Sequence, residues 1–274
     1  MTKHDTLTDE EFSTFKPPAR SIAQLYEFMA SRGGKEKDIR VLDWGCGRGR
    51  FVLWLREKGF EAYGVDIDQE PIENGMGLIK SRGYQSDVLS VISPTGKTNF
   101  PDGYFDFIIT GNVFEHVHEI DGVISEIGRL TAPGGGGYHI FPAQRQIVEG
   151  HLFMPFVHWI PAGSFRKSLI GLLVRLGQEP GWKELKGCSA AQKTETYYKY
   201  STDNIFYRPF SVFQKLFNAQ GFRITYLTID NPEISRKKVI RPFVRTRLFR
   251  PILAWALLTF FQVEFKLQKM GQNV

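Results

Sequence analysis

The sequence predicts an α/β chain on a seven-stranded, mostly parallel, doubly wound sheet, and three observations lead there. Short apolar, β-branched runs alternate with stretches of helical spacing, which implies parallel strands covered by helices on both faces. A glycine-rich loop follows the first apolar run. With 274 residues, 42% of them hydrophobic and 23% charged, the chain can bury one core without covalent staples.

In chain order, residues 19–32 have helical spacing, Ile39–Trp44 reads as the first strand, and Arg48–Lys58 as a helix stopped by Gly59. Glu61–Asp66 is the second strand, 69–81 a helix, and Gly83–Val88 a short third strand. A turn-rich loop (SPTGKTNFPDG) leads to a fourth strand at Tyr104–Thr110 and a helix near His118–Leu130. A turn over Pro133–Gly137 precedes the fifth strand, Tyr138–Pro142. Residues 143–206 carry aromatics, prolines and histidines without a period, and read as a lid or substrate insertion. The helix SVFQKLFNAQ ends at Gly221 and runs into a sixth strand at Phe222–Thr228. Phe261, Val263, Phe265 and Leu267 alternate with polar residues as the last strand, leaving 231–258 as a second, basic insertion with a helix.

Composition narrows the function classes. Cys46 and Cys188 make neither a disulfide framework nor a zinc site, and MTKHDTLTDEEF lacks the apolar stretch of a secretory signal, so a reducing, cytoplasmic setting is expected. The longest uncharged apolar run, between Arg250 and Glu264, has thirteen residues, short of the roughly 18 that a membrane-spanning helix needs. The formal charge of +6 is uneven. Residues 231–274 hold 9 of the 35 basic and 2 of the 29 acidic side chains, which leaves 26 against 27 elsewhere. A nucleic-acid groove over the main body is disfavoured, while contact of the C-terminal segment with an anionic ligand or membrane surface stays open.

Val41–Phe51 (VLDWGCGRGRF) is an apolar strand leading through three glycines into a helix, whose unpaired N–H groups and close backbone approach suit a ligand. A dinucleotide fingerprint requires a small third residue at position 50, where this chain has Arg50. Asp43 precedes the loop, Asp66 ends the second strand 21 residues after Gly45, and Asp87 is expected to end the third. Three acids around a glycine loop suit a ribose and adenine attached to a cation, and repel phosphates.

On these residues the chain resembles the class I S-adenosylmethionine-dependent methyltransferases. The resemblance covers roughly 39–142 and 207–268, with VLDWGCGRGRF, GVDID, YQSDV, FPDGYFDFIIT with GNVFEHV, and LTAPGGGGYHIFP standing in the family's order. The extra glycine of PGGGG departs from the pattern. The resemblance implies a seven-stranded sheet with an antiparallel last strand, S-adenosylmethionine as cofactor, and one methyltransferase domain over 1–274. That domain divides into an N-terminal helical segment (1–38), a cofactor-binding half (39–142), a substrate lid (143–206) and a C-terminal half (207–274). It further implies that Gly45, Cys46 and Gly47 pass beneath the methionine part, with Asp43 supporting its amino group. Asp66 would hold the ribose hydroxyls, Ile67 pack on the adenine, Asp87 and Val88 meet the adenine amino edge, and Asn112 lie near the reacting methyl.

Methyl transfer from a sulfonium is an in-line displacement, so alignment in a dry site supplies much of the catalysis, roughly 7–11 kcal/mol. A hydroxyl acceptor must also lose its proton, which points to histidine. Five of the six histidines lie between the fourth strand and the insertion: His116, His118, His139, His151 and His158. His139 reads as a core residue and His116 as scaffold beside the cofactor or a catalytic group. His151 and His158, just after the fifth strand, are candidates for acceptor contact or base catalysis, with Glu149 orienting either. The acids being assigned to the nucleoside, no metal is expected.

Nucleobase methylation is disfavoured because GNVF replaces the Asn/Asp-Pro-Pro-aromatic motif and neither cysteine follows proline. The expectation is O-methylation of a small-molecule, saccharide or lipid-linked acceptor, with peripheral contact to the inner face of a membrane through 236–258. The alternatives are N-methylation, a nicotinamide-dependent oxidoreductase, and a cofactor-binding module without catalysis.

Overall fold

The computed structural model describes residues 6–232, 246 and 248–271. Seven strands form one sheet: β1 (Arg40–Trp44), β2 (Glu61–Asp66), β3 (Leu89–Val91), β4 (Phe105–Gly111), β5 (Thr131–Pro142), β6 (Phe222–Tyr226) and β7 (Gln262–Lys269). Their order is β3-β2-β1-β4-β5-β7-β6. The first five pair in parallel, and β7 lies antiparallel to both β5 and β6.

Parallel strands covered on both faces are apolar almost throughout, and successive side chains feed opposite layers. Leu42 and Ile108 enter one core with Phe141, Phe213 and Phe265. Val41, Phe107 and Ile109 enter the other, with Leu53, Ile79 and Tyr138. The covering helices are α2 (Ala19–Ser31), α3 (Arg50–Glu57), α4 (Gln69–Ser81), α5 (Ile120–Leu130) and α8 (Phe210–Ala219), besides a short α1 (Asp9–Ser13).

Two expectations are corrected. The third strand begins at Leu89, because Gly83 closes α4 with its N–H on Lys80 and Ser86–Val88 winds as a 3₁₀ turn. Asp87 therefore stands at the entrance of that strand, and its exit is Ile92, whose N–H meets the Asp66 carbonyl at 2.8 Å. The fifth strand begins at Thr131, and the Pro-Gly turn is a bulge within it: Phe105 pairs with Thr131 but Phe107 with Gly136, and Gly134 sits at φ 73° between them. The insertion at 143–206, aperiodic in sequence, contains α6 (Ser164–Arg175) and α7 (Ala190–Asp203). These bury Ile170, Leu173, Val174 and Tyr197 against Leu152, Met154 and Val157 as a small core of their own. In the second insertion α9 (Arg250–Phe260) packs Leu257 on Ile229. The basic run Arg236, Lys237, Lys238, Arg241, Arg245 and Arg247 lies outside the described residues.

One buried ion pair ties the N-terminal helix to the last strand. Glu264 on β7 is 0% exposed and accepts from Arg20 Nε at 2.6 Å, from the Tyr138 hydroxyl at 3.0 Å and from Asn231 Nδ2 at 3.2 Å. Arg20→Met should lower stability by roughly 3 kcal/mol in urea melting, because it leaves a buried carboxylate to two neutral donors. Adding Glu264→Gln should return part of that loss. A loss below about 1 kcal/mol would show that the pair contributes little.

Candidate active site

The carboxyl ends of β1, β2 and β4 open into a crevice of about 810 Å³ lined by Trp44, Gly45, Asp66, Ile67, Asn112 and His116 from the sheet side. Tyr200, Asp203, Asn204 and Phe206, at the end of the 143–206 insertion, form the facing wall. Ligands of open α/β sheets bind at this edge.

Close packing shapes the glycine loop. At Gly45 φ is 82°, and an added Cβ would lie 2.3 Å from Val113 Cγ2, so only glycine fits between the loop and the segment after β4. Gly45 and Cys46 both donate to the Val65 carbonyl, at 2.8 and 3.1 Å. Asp66 accepts from Gly47 N–H at 2.8 Å and from Asp68 N–H at 3.0 Å, and so ties the two loops that carry it. Asp43 is 8% exposed, and burial, then the charge of Asp66, push its carboxyl up to about 7. Two neighbouring acids, one of them buried, make a site complementary to a cationic ligand. Ile67, 59% exposed, offers an apolar surface at the same edge. Asn112 adopts φ 54°, with its N–H bonded to the Ile140 carbonyl at 2.8 Å. Cys46 sits beneath the loop against Gly64, and burial, then Asp43 and Asp66, raise its thiol well above the usual range, so it is a packing residue.

Asp87 and Val88 are not brought to the crevice. Asp87 is exposed and Val88 is buried in the core, while Ile92, Pro94, Thr95 and Gly96 line the crevice beyond β3. Acid-plus-strand spacing placed Asp87 at a strand end, and the late start of β3 moved it to the opposite one.

The histidines divide. His139 is fully buried beside Thr110 and held down to about 3 by burial, as a core residue should be. His158 packs against Tyr207 with both ring nitrogens buried and unpartnered among the described residues, and burial lowers it to about 4; it does not line the crevice. His116 and His151 meet, with their Nε2 atoms 3.1 Å apart. His116 donates through Nδ1 to the Asn204 carbonyl at 2.7 Å, and His151 Nδ1 lies 2.8 Å from Glu149 Oε1. Burial lowers His116. It also works against a charge on His151, but the hydrogen bond and charge of Glu149 raise that ring overall.

Glu149, 0% exposed, additionally accepts the backbone N–H of His151 at 2.8 Å and of Leu152 at 2.6 Å, and the Tyr207 hydroxyl at 2.7 Å. These donors, His151 first among them, outweigh burial and keep its carboxyl below the ordinary range. Glu115, 2% exposed, has neither oxygen hydrogen-bonded among the described residues, and burial pushes it up to about 7. Sequence reading missed Asn204, Tyr200 and Tyr207, which come from a segment without periodicity. Glu115 stood inside a quoted motif, but nothing in its spacing distinguished it.

Residues 17–227 match the family model described as a methyltransferase domain. A probable tocopherol O-methyltransferase of rice is 31% identical over 117 residues, covering 42% of this chain and 32% of that protein. A norajmaline N-methyltransferase of Rauvolfia serpentina is 28% identical over 100 residues, covering 36% of this chain and 34% of that protein. The chain thus matches about a third of the length of these curated relatives. Among solved structures, the Haemonchus contortus phosphoethanolamine N-methyltransferase 2 bound to S-adenosyl-L-methionine superposes with TM-score 0.54 at 13% identity, over 97% of this chain and 58% of that one. A Mesorhizobium loti S-adenosylmethionine-dependent methyltransferase gives 0.52 at 13% identity, over 92% and 98%. The family match over most of the chain and the strand order with its antiparallel β7 converge: the chain belongs to the methyltransferase-domain family and has the class I methyltransferase fold.

Proposed function

We propose that this crevice transfers a methyl group from S-adenosylmethionine to a hydroxyl of a small-molecule or lipid-linked acceptor. The observation that carries the reading is the series Glu149–His151–His116, two imidazoles backed by a buried carboxylate that reach the crevice wall at His116 and can ease the loss of the proton that an oxygen acceptor must give up. An amine delivered as its free base needs no such group during the displacement, so N-methylation, which a relative's name exemplifies, is the second reading.

The cofactor supplies an activated methyl on a cationic sulfur, and the residues present suit it. Gly45, Cys46 and Gly47 would pass beneath its methionine part, Asp43 would support its amino group, Asp66 would take the ribose hydroxyls, and Ile67 would pack on the adenine. Ile92, which lines the crevice, would take the place first given to Asp87 and Val88. Asn112, turned by its left-handed backbone, would lie near the transferring methyl. His116 and His151 serve the acceptor, while His158 packs the lid.

A ridge of exposed aromatics favours a lipid-proximal acceptor. Phe156, Trp159, Phe260 and Trp255 are 45%, 43%, 38% and 62% exposed, and their rings follow one another at 5.0, 6.4 and 6.1 Å. The sequence beside it carries the basic run that ends at Arg250. Among the described residues no helix is long and apolar enough to cross a membrane. Aromatics with cations suit the surface of an anionic bilayer.

Four outcomes are expected. Asp43→Asn should weaken S-adenosylmethionine binding roughly tenfold to a hundredfold in calorimetry. A carboxyl raised from 3.8 to about 7 keeps its proton longer in the native state than in the unfolded chain, so stability without cofactor falls as pH rises between those values. Asp43→Asn should therefore raise the Tm at pH 8 more than at pH 5, and equal shifts would sink the assignment. His151→Ala should lower turnover to S-adenosylhomocysteine roughly 10²–10⁴-fold with cofactor affinity unchanged; equal turnover removes His151 from the reaction. The protein should co-sediment with anionic vesicles at low salt and Trp255→Ser should reduce this, whereas no sedimentation refutes the membrane contact.

A further inference from the structure

We infer that Glu115, His116 and His151 form a site for a divalent first-row transition cation such as Zn²⁺, set into the wall of the crevice. The cation's role deepens the methyl-transfer reading and rests on it, whereas the site itself rests on the side chains alone. One ligand atom from each of the three residues lies within 4.8 Å of the others.

Hydrogen-bond accounting leads there. His116 Nδ1 faces the Asn204 carbonyl, which only accepts, so that nitrogen carries the hydrogen. His151 Nδ1 faces Glu149, which already accepts two backbone N–H groups and the Tyr207 hydroxyl and is therefore an acceptor here as well. Both rings commit their Nδ1–H outward and turn their Nε2 lone pairs toward each other at 3.1 Å. Two lone pairs at that distance repel unless a cation lies with them. A proton would satisfy the imidazoles but leave Glu115 as it stands, 2% exposed, both oxygens without hydrogen-bond partners among the described residues, and Oε1 4.0 Å from His116 Nε2. A divalent cation answers all three groups at once.

The surroundings are those of a metal site. Ligating histidines characteristically donate their other ring N–H to a carbonyl or carboxylate, which sets the tautomer and the ring orientation; Asn204 and Glu149 do this here. Nitrogen ligands at about 2.0–2.1 Å from one metal stand roughly 3 Å apart, close to the separation observed. Two imidazoles and one carboxylate suit Zn²⁺, Fe²⁺, Co²⁺ or Mn²⁺, and three protein ligands leave positions open, as catalytic sites require. Asp43 and Asp66, the acids assigned to the cofactor, take no part. Because His116 lines the crevice, the cation adjoins it and can hold an acceptor oxygen there.

The test uses the full chain, stripped with a chelator and titrated with Co²⁺ in the absence of acceptor. One cation per chain should bind with visible d–d absorption and raise the Tm by several degrees, and Zn²⁺ should displace it. Glu115→Gln and His151→Ala should each weaken binding at least tenfold while circular dichroism shows the fold retained. Absence of d–d absorption and of any melting shift at millimolar Co²⁺ would overturn the inference, as would unchanged affinity in the combined Glu115→Gln, His116→Gln, His151→Gln variant. Calorimetry with S-adenosylhomocysteine on the stripped protein separates the two readings. Cofactor binding without Co²⁺ binding removes the metal and leaves the methyltransferase; Co²⁺ binding without cofactor binding does the reverse.

Discussion

A carboxylate that loses all contact with water must be saturated with donors or give up its charge, and Glu149 is in that position. It draws in the backbone of residues 151 and 152, the His151 ring and the Tyr207 hydroxyl, and its own backbone N–H reaches the Met154 carbonyl at 2.9 Å. These contacts join the start of the long insertion to the segment where the sheet resumes, about 58 residues later in the chain. The aperiodic segment thus closes on itself around one charge, with its small apolar core packed behind. The orientation of His151, and through it the approach to His116, follows from the same saturation.

Opposite this polar centre the cofactor side of the crevice works through closeness and like charge. Gly45 admits Val113 at a distance no side chain tolerates, which brings the segment after β4 down onto the loop after β1. Asp43 and Asp66 are held near each other by strand register, Asp43 pairing with Gly64 on β2, and the fold bears an unfavourable pair of acids that a cationic ligand relieves. Such a pair would be preorganised for charge that arrives with a ligand, and under the proposed function apolar Ile67 would suit the flat, uncharged end of a nucleoside.

Much of the first half was legible. β1, β2 and their helices obey simple periods because these strands are largely covered on both faces, so Val41, Leu42, Trp44, Ala62 and Val65 are apolar for a reason visible in one dimension. Where local geometry competed with periodicity, reading failed. Gly83 and the 3₁₀ turn delayed β3, which moved Asp87 from strand exit to strand entrance, and the glycines after Pro133 bulged within β5 where a turn was expected. Helix α7 is mostly polar, with Tyr197 and Ser201 its buried residues, so it left little stripe to detect.

The sequence by itself determined the α/β class, the strand that feeds the glycine loop, and the presence of acids and histidines in the right segments, because period and composition are local properties. Only the tertiary structure decided which of them meet. Asn204 lies 88 residues from His116, and Tyr207 lies 58 from Glu149. Contacts between residues far apart in the chain, which act through space and leave no period along it, brought His116 and His151 together and left His158 and His139 packed in the interior.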